Sequence, residues 1–149
     1  MDEAGVNETI DYEYGYAHKS ERYHADKRGN KGKRLSFVSG WWKGSTIAPL
    51  IFEGYCNSEL ICKWIRECLV PELIPGQIVF FDNASFHPKR KIEELVCQAG
   101  CEVIFLPKYS PDLNKIEKFW ARLKHEIKKL KREIEDLGEA IEKAFRNLY

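Results

Sequence analysis

Residues 78–106 read IVFFDNASFHPKRKIEELVCQAGCEVIFL, and their hydrophobic pattern indicates the fold class. Two four-residue apolar runs, at 78–81 and 103–106, are typical of strands buried on both faces of a sheet. Between them, residues 88–99 carry apolar side chains at helical spacing, and Gly100 marks a helix end. A strand, a helix and a strand joined by short links form a βαβ unit, which predicts two parallel neighbouring strands.

Upstream, two strand-like runs at 35–42 and 45–52 are separated only by Lys43 and Gly44. A two-residue link that contains glycine predicts an antiparallel hairpin. Pro49 cannot donate a ladder hydrogen bond, so the second strand of this hairpin is expected at a sheet edge.

The remaining patterns predict one more strand and further helices. Residues 10–16 alternate apolar and polar positions with an aromatic face, which indicates a strand. Asn57 or Ser58 is expected to cap a helix that ends before two prolines. Ser110 as N-cap and Pro111 in the first turn predict a long helix, with a C-terminal helical extension from about 131. The fold class is therefore α/β, with an antiparallel hairpin and parallel strands in one mixed sheet flanked by helices.

Composition bounds the functional classes. The 149 residues suit one domain, and 24 Lys and Arg against 23 Asp and Glu leave a net charge of +1. The longest apolar runs fall far short of the ~18 residues of a membrane span. Acidic residues directly after Met1 do not fit a signal peptide, and a cytoplasmic location is expected. Five cysteines without a C-x-x-C pair favour reduced thiols over zinc or disulfides.

Two carboxylates are expected to converge at one edge of the sheet. Asp82 directly follows the first buried strand, where α/β sheets gather their ligands. Glu117 lies beside Ile116 and Trp120 on the last helical pattern, at the margin of its buried face. Each acid alone has an ordinary interpretation, as a turn aspartate or a solvated helix residue. Together they predict a site for a hard divalent cation.

Two segments resemble the catalytic core of DDE transposases, most closely the bacterial insertion-sequence branch of the mariner-like superfamily. They are DNASFH at 82–87 and LPKYSPDLNKIEKFW at 106–120. The 34 residues between Asp82 and Glu117 match the spacing of that family. The resemblance implies a ribonuclease H-like fold and a third carboxylate on the first strand, a position matched by Asp2.

The resemblance also implies a function. Two Mg²⁺ ions, for which Mn²⁺ can substitute, would be held by Asp2, Asp82 and Glu117, as metal ligands and catalytic residues. The expected reaction is DNA cleavage at transposon ends followed by strand transfer into target DNA, by a homodimer associated with the bacterial nucleoid. Two alternatives stay open: an inactive remnant that only binds DNA or dimerises, and a stand-alone ribonuclease H-like nuclease.

Some positions depart from the family pattern. Lys115 and Lys108 stand where the family commonly has proline. One residue precedes Asp2, so the first strand is expected to be truncated and the family's N-terminal helix-turn-helix region to be absent, unless an upstream frame supplies it. Candidate accessory residues are Asn83, His87 and Asn114. For His87 a local hydrogen-bonding role is favoured over a catalytic one.

Two basic segments are candidates for contact with DNA phosphates. The first is a polar loop, and the second is the surface of the late helix, for which a merely solvated face is an equal alternative. The candidate residues are Lys19, Arg22, Lys27, Arg28, Lys31, Lys33, Arg34, Arg122 and Lys124.

Overall fold

The computed structural model of the protein describes residues 1–8, 32–108 and 110–148. Its main elements in chain order are β1 (Asp2–Asn7), β2 (Arg34–Trp42), β3 (Ser45–Glu53), α1 (Ser58–Trp64), β4 (Ile78–Phe81), α2 (Lys89–Gln98), β5 (Glu102–Phe105), α3 (Ile116–Leu130) and α4 (Leu137–Leu148). A π-helical turn (Ile65–Leu69) and a 3-10 turn (Val70–Glu72) continue α1, and a 3-10 turn (Pro111–Leu113) precedes α3. The strand predicted at 10–16 lies outside the described residues.

The strands form two sheets that meet at the start of β1. β1, β2 and β3 are antiparallel in that order, whereas β4 and β5 are parallel. The backbone nitrogen of Met1 donates to the carbonyl of Phe80 at 2.8 Å, which brings the first residues of β1 beside the end of β4. The predicted mixed α/β fold, with its hairpin and its βαβ unit, is confirmed, but the described strands form two sheets where one mixed sheet was expected.

The hairpin turn has the geometry that its sequence predicts. Lys43 and Gly44 both adopt positive φ, at 48° and 95°, as the two central residues of a type I′ turn do. Among the described strands, β3 pairs only with β2 and lies at the edge of its sheet, where Pro49 is tolerated.

The two faces of β2 carry two separate cores. Phe37 points to one face, where it packs with the apolar stripes of α3 and α4. Val38 points to the other face, where it packs with α1, α2 and the inner side of β4. Both side chains are essentially inaccessible, at 0% and 1% exposure, because successive strand residues alternate between faces. The sheet is thus covered by helices on both sides at the position of β2.

The expectation that β4 and β5 are buried on both faces was wrong. Val79 and Phe81 are buried, but Ile78, Phe80 and Ile104 are 44–48% exposed. The helices α1 and α2 cover one face of this pair, whereas the other face borders an open apolar groove.

The predicted start of the last long helix was also wrong. Ser110 accepts a hydrogen bond from the backbone nitrogen of Leu113, which closes a 3-10 turn, and α3 begins only at Ile116. Leu113 is consequently 54% exposed and does not join the buried stripe. The helical pattern is then interrupted again before α4, which packs into the same core as α3.

The predicted cap of the first helix is confirmed. Asn57 caps α1 by accepting a hydrogen bond from the backbone nitrogen of Leu60 at 2.8 Å. All five cysteines are free. None of the helices in the described residues has the length and apolar character needed to cross a membrane.

Candidate active site

Asp2 lies at the junction of the two sheets. It is the first residue of β1, directly after the Met1 nitrogen that binds β4, so it lies beside the end of β4 where Asp82 follows. One carboxylate oxygen, Oδ1, accepts from the backbone nitrogen of Glu3 at 2.9 Å. The other, Oδ2, accepts from the indole Nε1 of Trp120 at 3.2 Å. Both contacts fix the orientation of a side chain that is only 9% exposed as a residue.

The electrostatic environment of Asp2 is strongly acidic. Burial, followed by the charges of neighbouring carboxylates, raises the pKa of Asp2 from 3.8 to about 7. The contributing carboxylates, in decreasing order of effect, are Asp82, Glu3 and Glu117. A carboxylate that resists ionisation among other acids indicates negative charge that a bound cation would balance.

Glu117 lies near Asp2 and Asp82, although it belongs to the C-terminal part of the chain. It lies in the first turn of α3, between the buried side chains of Ile116 and Trp120 in the helical wheel. Its backbone nitrogen donates to the carbonyl of Asn114 at 3.1 Å, which joins α3 to the preceding loop. Glu117 itself is exposed and faces the space beside Asp2 and Asp82.

A cavity of about 380 Å³ brings the three predicted acids together. Its polar wall includes Asp2, Asp82, Glu117, Asn83, Asn114 and Lys108. Two of the predicted accessory residues, Asn83 and Asn114, therefore lie at the site. Lys108 is the one cationic residue that the described part of the chain contributes to this wall. The carboxylate donors and the uncompensated charge fit a hard divalent cation.

The third predicted accessory residue, His87, lies behind Asp82. Its Nδ1 is 3.0 Å from Oδ1 of Asp82, and its Nε2 is 3.5 Å from Oε2 of Glu3. Burial lowers the pKa of His87, but the contacts with Asp82 and Glu3 outweigh it and raise the pKa to about 9. Among the described residues, Glu3, Asp82 and His87 are also close enough to be considered as metal ligands, with their ligand atoms within 4.8 Å of one another.

Sequence reasoning missed two groups at this site. Glu3 was not singled out, although it directly follows Asp2, the acid that the family resemblance places on the first strand. Trp120 was assigned only to the buried stripe, whereas its indole N–H also binds Asp2. A buried tryptophan usually has a partner for this N–H, but the sequence does not say which.

The predicted DNA-contacting residues differ in their exposure, and some lie outside the described residues. Lys33, Arg122 and Lys124 are exposed. Arg34 is half-buried, donates from Nε to Oγ of Ser36 at 3.3 Å, and lies 4.5 Å above the ring of Tyr55. The candidates Lys19, Arg22, Lys27, Arg28 and Lys31 lie outside the described residues. DNA contact by either group stays a prediction.

Comparison with known families identifies the chain. The model of the DDE superfamily endonucleases matches residues 1–141. The chain belongs to the DDE superfamily of endonucleases. The resemblance predicted from its two motifs is therefore confirmed at the level of the superfamily, whose members generally use divalent metals.

Solved structures support the fold of this DDE endonuclease. The chain is similar to a protein chain in the crystal structure of the Mos1 strand transfer complex, with a TM-score of 0.63 and 19% sequence identity. The similarity covers 98% of the present chain and 51% of the Mos1 chain, so this chain spans about half of that protein. A search of curated proteins finds no match.

Proposed function

We propose that this chain is the catalytic domain of a transposase from the bacterial insertion-sequence branch of the mariner-like superfamily. Its reaction would be metal-dependent cleavage of DNA at transposon ends and transfer of the freed 3′ end into target DNA. The observation that carries this proposal is the convergence of Asp2, Asp82 and Glu117 on one cavity in a DDE endonuclease.

The three acids have different tasks in this proposal. Asp2, fixed on both oxygens and buried, would hold a cation in a defined position, whereas the exposed Glu117 can follow the substrate. Two Mg²⁺ ions bound by the three carboxylates would activate the attacking oxygen and stabilise the leaving oxygen of an in-line phosphoryl displacement. Mg²⁺ is the preferred ion because it takes oxygen ligands and completes its coordination with water and phosphate oxygens.

The DNA would be positioned by cationic groups around this acidic cavity. Lys108 on the cavity wall is suited to neutralise a phosphate that enters beside the carboxylates. The exposed Arg122 and Lys124 on α3 would add further contacts with DNA phosphates. Such contacts bind any DNA sequence, so recognition of particular transposon ends would require base contacts from elsewhere in a complete protein. A homodimer, in which two copies process two ends, is part of the same proposal.

The proposal is tested by incubating the purified chain with supercoiled plasmid and Mg²⁺ or Mn²⁺. We expect nicking that EDTA abolishes, that Asp82→Asn abolishes, and that Glu102→Gln retains, since Glu102 lies at the opposite end of β5 from the cavity. A folded wild type that does not nick DNA, or nicking that survives in Asp82→Asn, contradicts it. Cleavage of an RNA–DNA hybrid in preference to duplex DNA would favour the alternative nuclease.

A further inference from the structure

His87 is held rigidly behind the proposed metal site. It follows Asp82 by five residues, and its backbone nitrogen donates to the carbonyl of Ala84 at 3.2 Å, which closes the intervening turn. Its ring packs edge-on against Phe86 at 4.5 Å and Phe81 at 6.2 Å between centroids. The side chain is 1% exposed, so solvent cannot replace its polar contacts.

Both nitrogens of this ring face a carboxylate. Nδ1 is 3.0 Å from Asp82, which is a hydrogen-bonding separation, and Nε2 is 3.5 Å from Glu3. The angles are not those of well-directed hydrogen bonds, so these are contacts between polar and charged groups rather than linear N–H···O bonds. In the described residues, the two nitrogens and the facing oxygens are buried without any hydrogen-bonded partner. Each of the three side chains therefore depends on the others.

This arrangement argues against a metal bound by His87. A histidine ligand offers the lone pair of one nitrogen to the metal and donates from the other nitrogen to a second group. Here each nitrogen lies close to a different carboxylate, Nδ1 at 3.0 Å from Asp82 and Nε2 at 3.5 Å from Glu3. His87 is also separated from the cavity wall, which contains Asp82 but neither His87 nor Glu3.

We infer that Glu3 and His87 form a positioning relay for Asp82. Glu3 holds the far nitrogen of the imidazole, and the imidazole holds Oδ1 of Asp82, so that the other carboxylate oxygen of Asp82 is presented to a cation in the cavity. The inference rests on the proposed function, because it assigns the relay to the metal site formed by Asp82 with Asp2 and Glu117. Groups that orient metal ligands in this way typically affect metal affinity by 10–100-fold.

Two substitutions separate the halves of the relay. In His87→Asn the amide nitrogen lies close to the position of Nδ1 and can still contact Asp82. In His87→Gln the amide lies close to the position of Nε2 and can contact only Glu3. The matched control is His125→Gln, because His125 is exposed on α3.

The measurement is Mn²⁺ affinity of the full chain, by calorimetric titration, together with thermal unfolding of each variant. We expect His87→Gln to raise the Mn²⁺ Kd roughly 10-fold or more, and His87→Asn to raise it less. Glu3→Gln, at a side chain that is 20% exposed, is expected to give an intermediate rise without loss of folding. His125→Gln is expected to bind as the wild type does. The plasmid-nicking rate of His87→Gln should fall at limiting Mn²⁺ and recover at saturating Mn²⁺, which a merely structural defect would not do.

The possible outcomes distinguish the relay from the proposed function. If the wild type binds Mn²⁺ in a manner that requires Asp82, but His87→Gln and Glu3→Gln bind equally well, the relay is overturned and the metal site stands. The relay is also overturned if His87→Asn and His87→Gln lower the Mn²⁺ affinity equally and the nicking rate does not recover at high Mn²⁺. If the wild type shows no Mn²⁺ binding that depends on Asp82, the proposed function and the relay fail together.

Discussion

Replacement of Asp2 by asparagine is expected to stabilise the metal-free protein at alkaline pH, although it removes a proposed metal ligand. Burial, followed by the charge of Asp82 and other acids, raises the pKa of Asp2 from 3.8 to about 7. The native state therefore holds the proton more tightly than the unfolded state does. Consequently the wild type loses stability as the pH rises from about 4 to about 7, and this loss is complete at pH 8.

The change in the free energy of unfolding that Asp2→Asn causes follows from the pKa and from the contacts of Asp2. A shift of about three pKa units corresponds to roughly 4 kcal/mol at ~1.4 kcal/mol per unit. Asparagine has one oxygen, whereas Asp2 accepts from both Glu3 and Trp120, so one hydrogen bond worth about 1 kcal/mol is lost. The net gain at pH 8 is up to ~3 kcal/mol, which is a rise in Tm of roughly 6–12 °C for a domain of this size.

The assay is thermal unfolding in EDTA at pH 5 and pH 8, at equal ionic strength, for wild type, Asp2→Asn and Glu102→Gln. The stability that Asp2→Asn gains over the wild type should fall by more than half at pH 5, where Asp2 is largely protonated in the native state. Glu102→Gln controls for the loss of one surface charge. If Asp2→Asn is less stable than the wild type at pH 8, or if its advantage is the same at both pH values, the reasoning is refuted.

Four other perturbations have expected outcomes. Saturating Mn²⁺ should raise the Tm of the wild type more at pH 8 than at pH 5, because metal binding requires ionised Asp2. Scanning calorimetry that finds the same rise in Tm at both pH values would contradict this. The pKa of His87 is raised to about 9, since its carboxylate contacts outweigh burial, so its stabilising effect is present below pH 6.5 and is lost as the pH rises through 9. Urea unfolding should accordingly find His87→Gln most destabilising near pH 6 and least so at pH 10. Trp120→Phe removes the indole donor to Asp2 and also part of a buried ring, so a double-mutant cycle with Asp2→Ala should find a coupling of about 1–3 kcal/mol in urea unfolding, against no coupling if that hydrogen bond is not formed. Asn57→Ala removes the cap of α1 and should cost about 1 kcal/mol without changing Mn²⁺ affinity.

Local patterns predicted much of the fold because short-range chemistry determines those elements. A two-residue hairpin turn such as Lys43-Gly44 allows few backbone conformations, and both residues adopt the positive φ that a tight hairpin requires. The strand–helix–strand segment similarly fixes Asp82 at the carboxyl end of β4. Both features depend on residues that are close in the sequence.

The start of α3 could not be predicted from capping preferences. Ser110 and Pro111 suit a helix start, but they also suit the 3-10 turn that the chain forms there. Asn114 is buried at 8% exposure on the cavity wall, and α3 begins two residues later. The tertiary position of this loop, and not the local preference of Ser110, determines where the helix begins.

The contact between Glu3 and His87 is equally inaccessible to local reasoning. The two residues are far apart in the chain and meet only because β1 lies beside β4. Alternation along β1 shows that Asp2 and Glu3 point to opposite faces, but not which side chain each one meets. The site is therefore predictable as a set of acids, whereas the groups that orient them are not.

The most direct test of the central claim is a crystal structure of the chain soaked in Mn²⁺, with anomalous diffraction to locate the ions. Mn²⁺ is expected in the cavity, bound by Asp2, Asp82 and Glu117, with His87 in contact with Asp82 but not with metal. A Mn²⁺ ion bound to His87 and Glu3, or a cavity that contains no Mn²⁺ at saturating concentration, would contradict it.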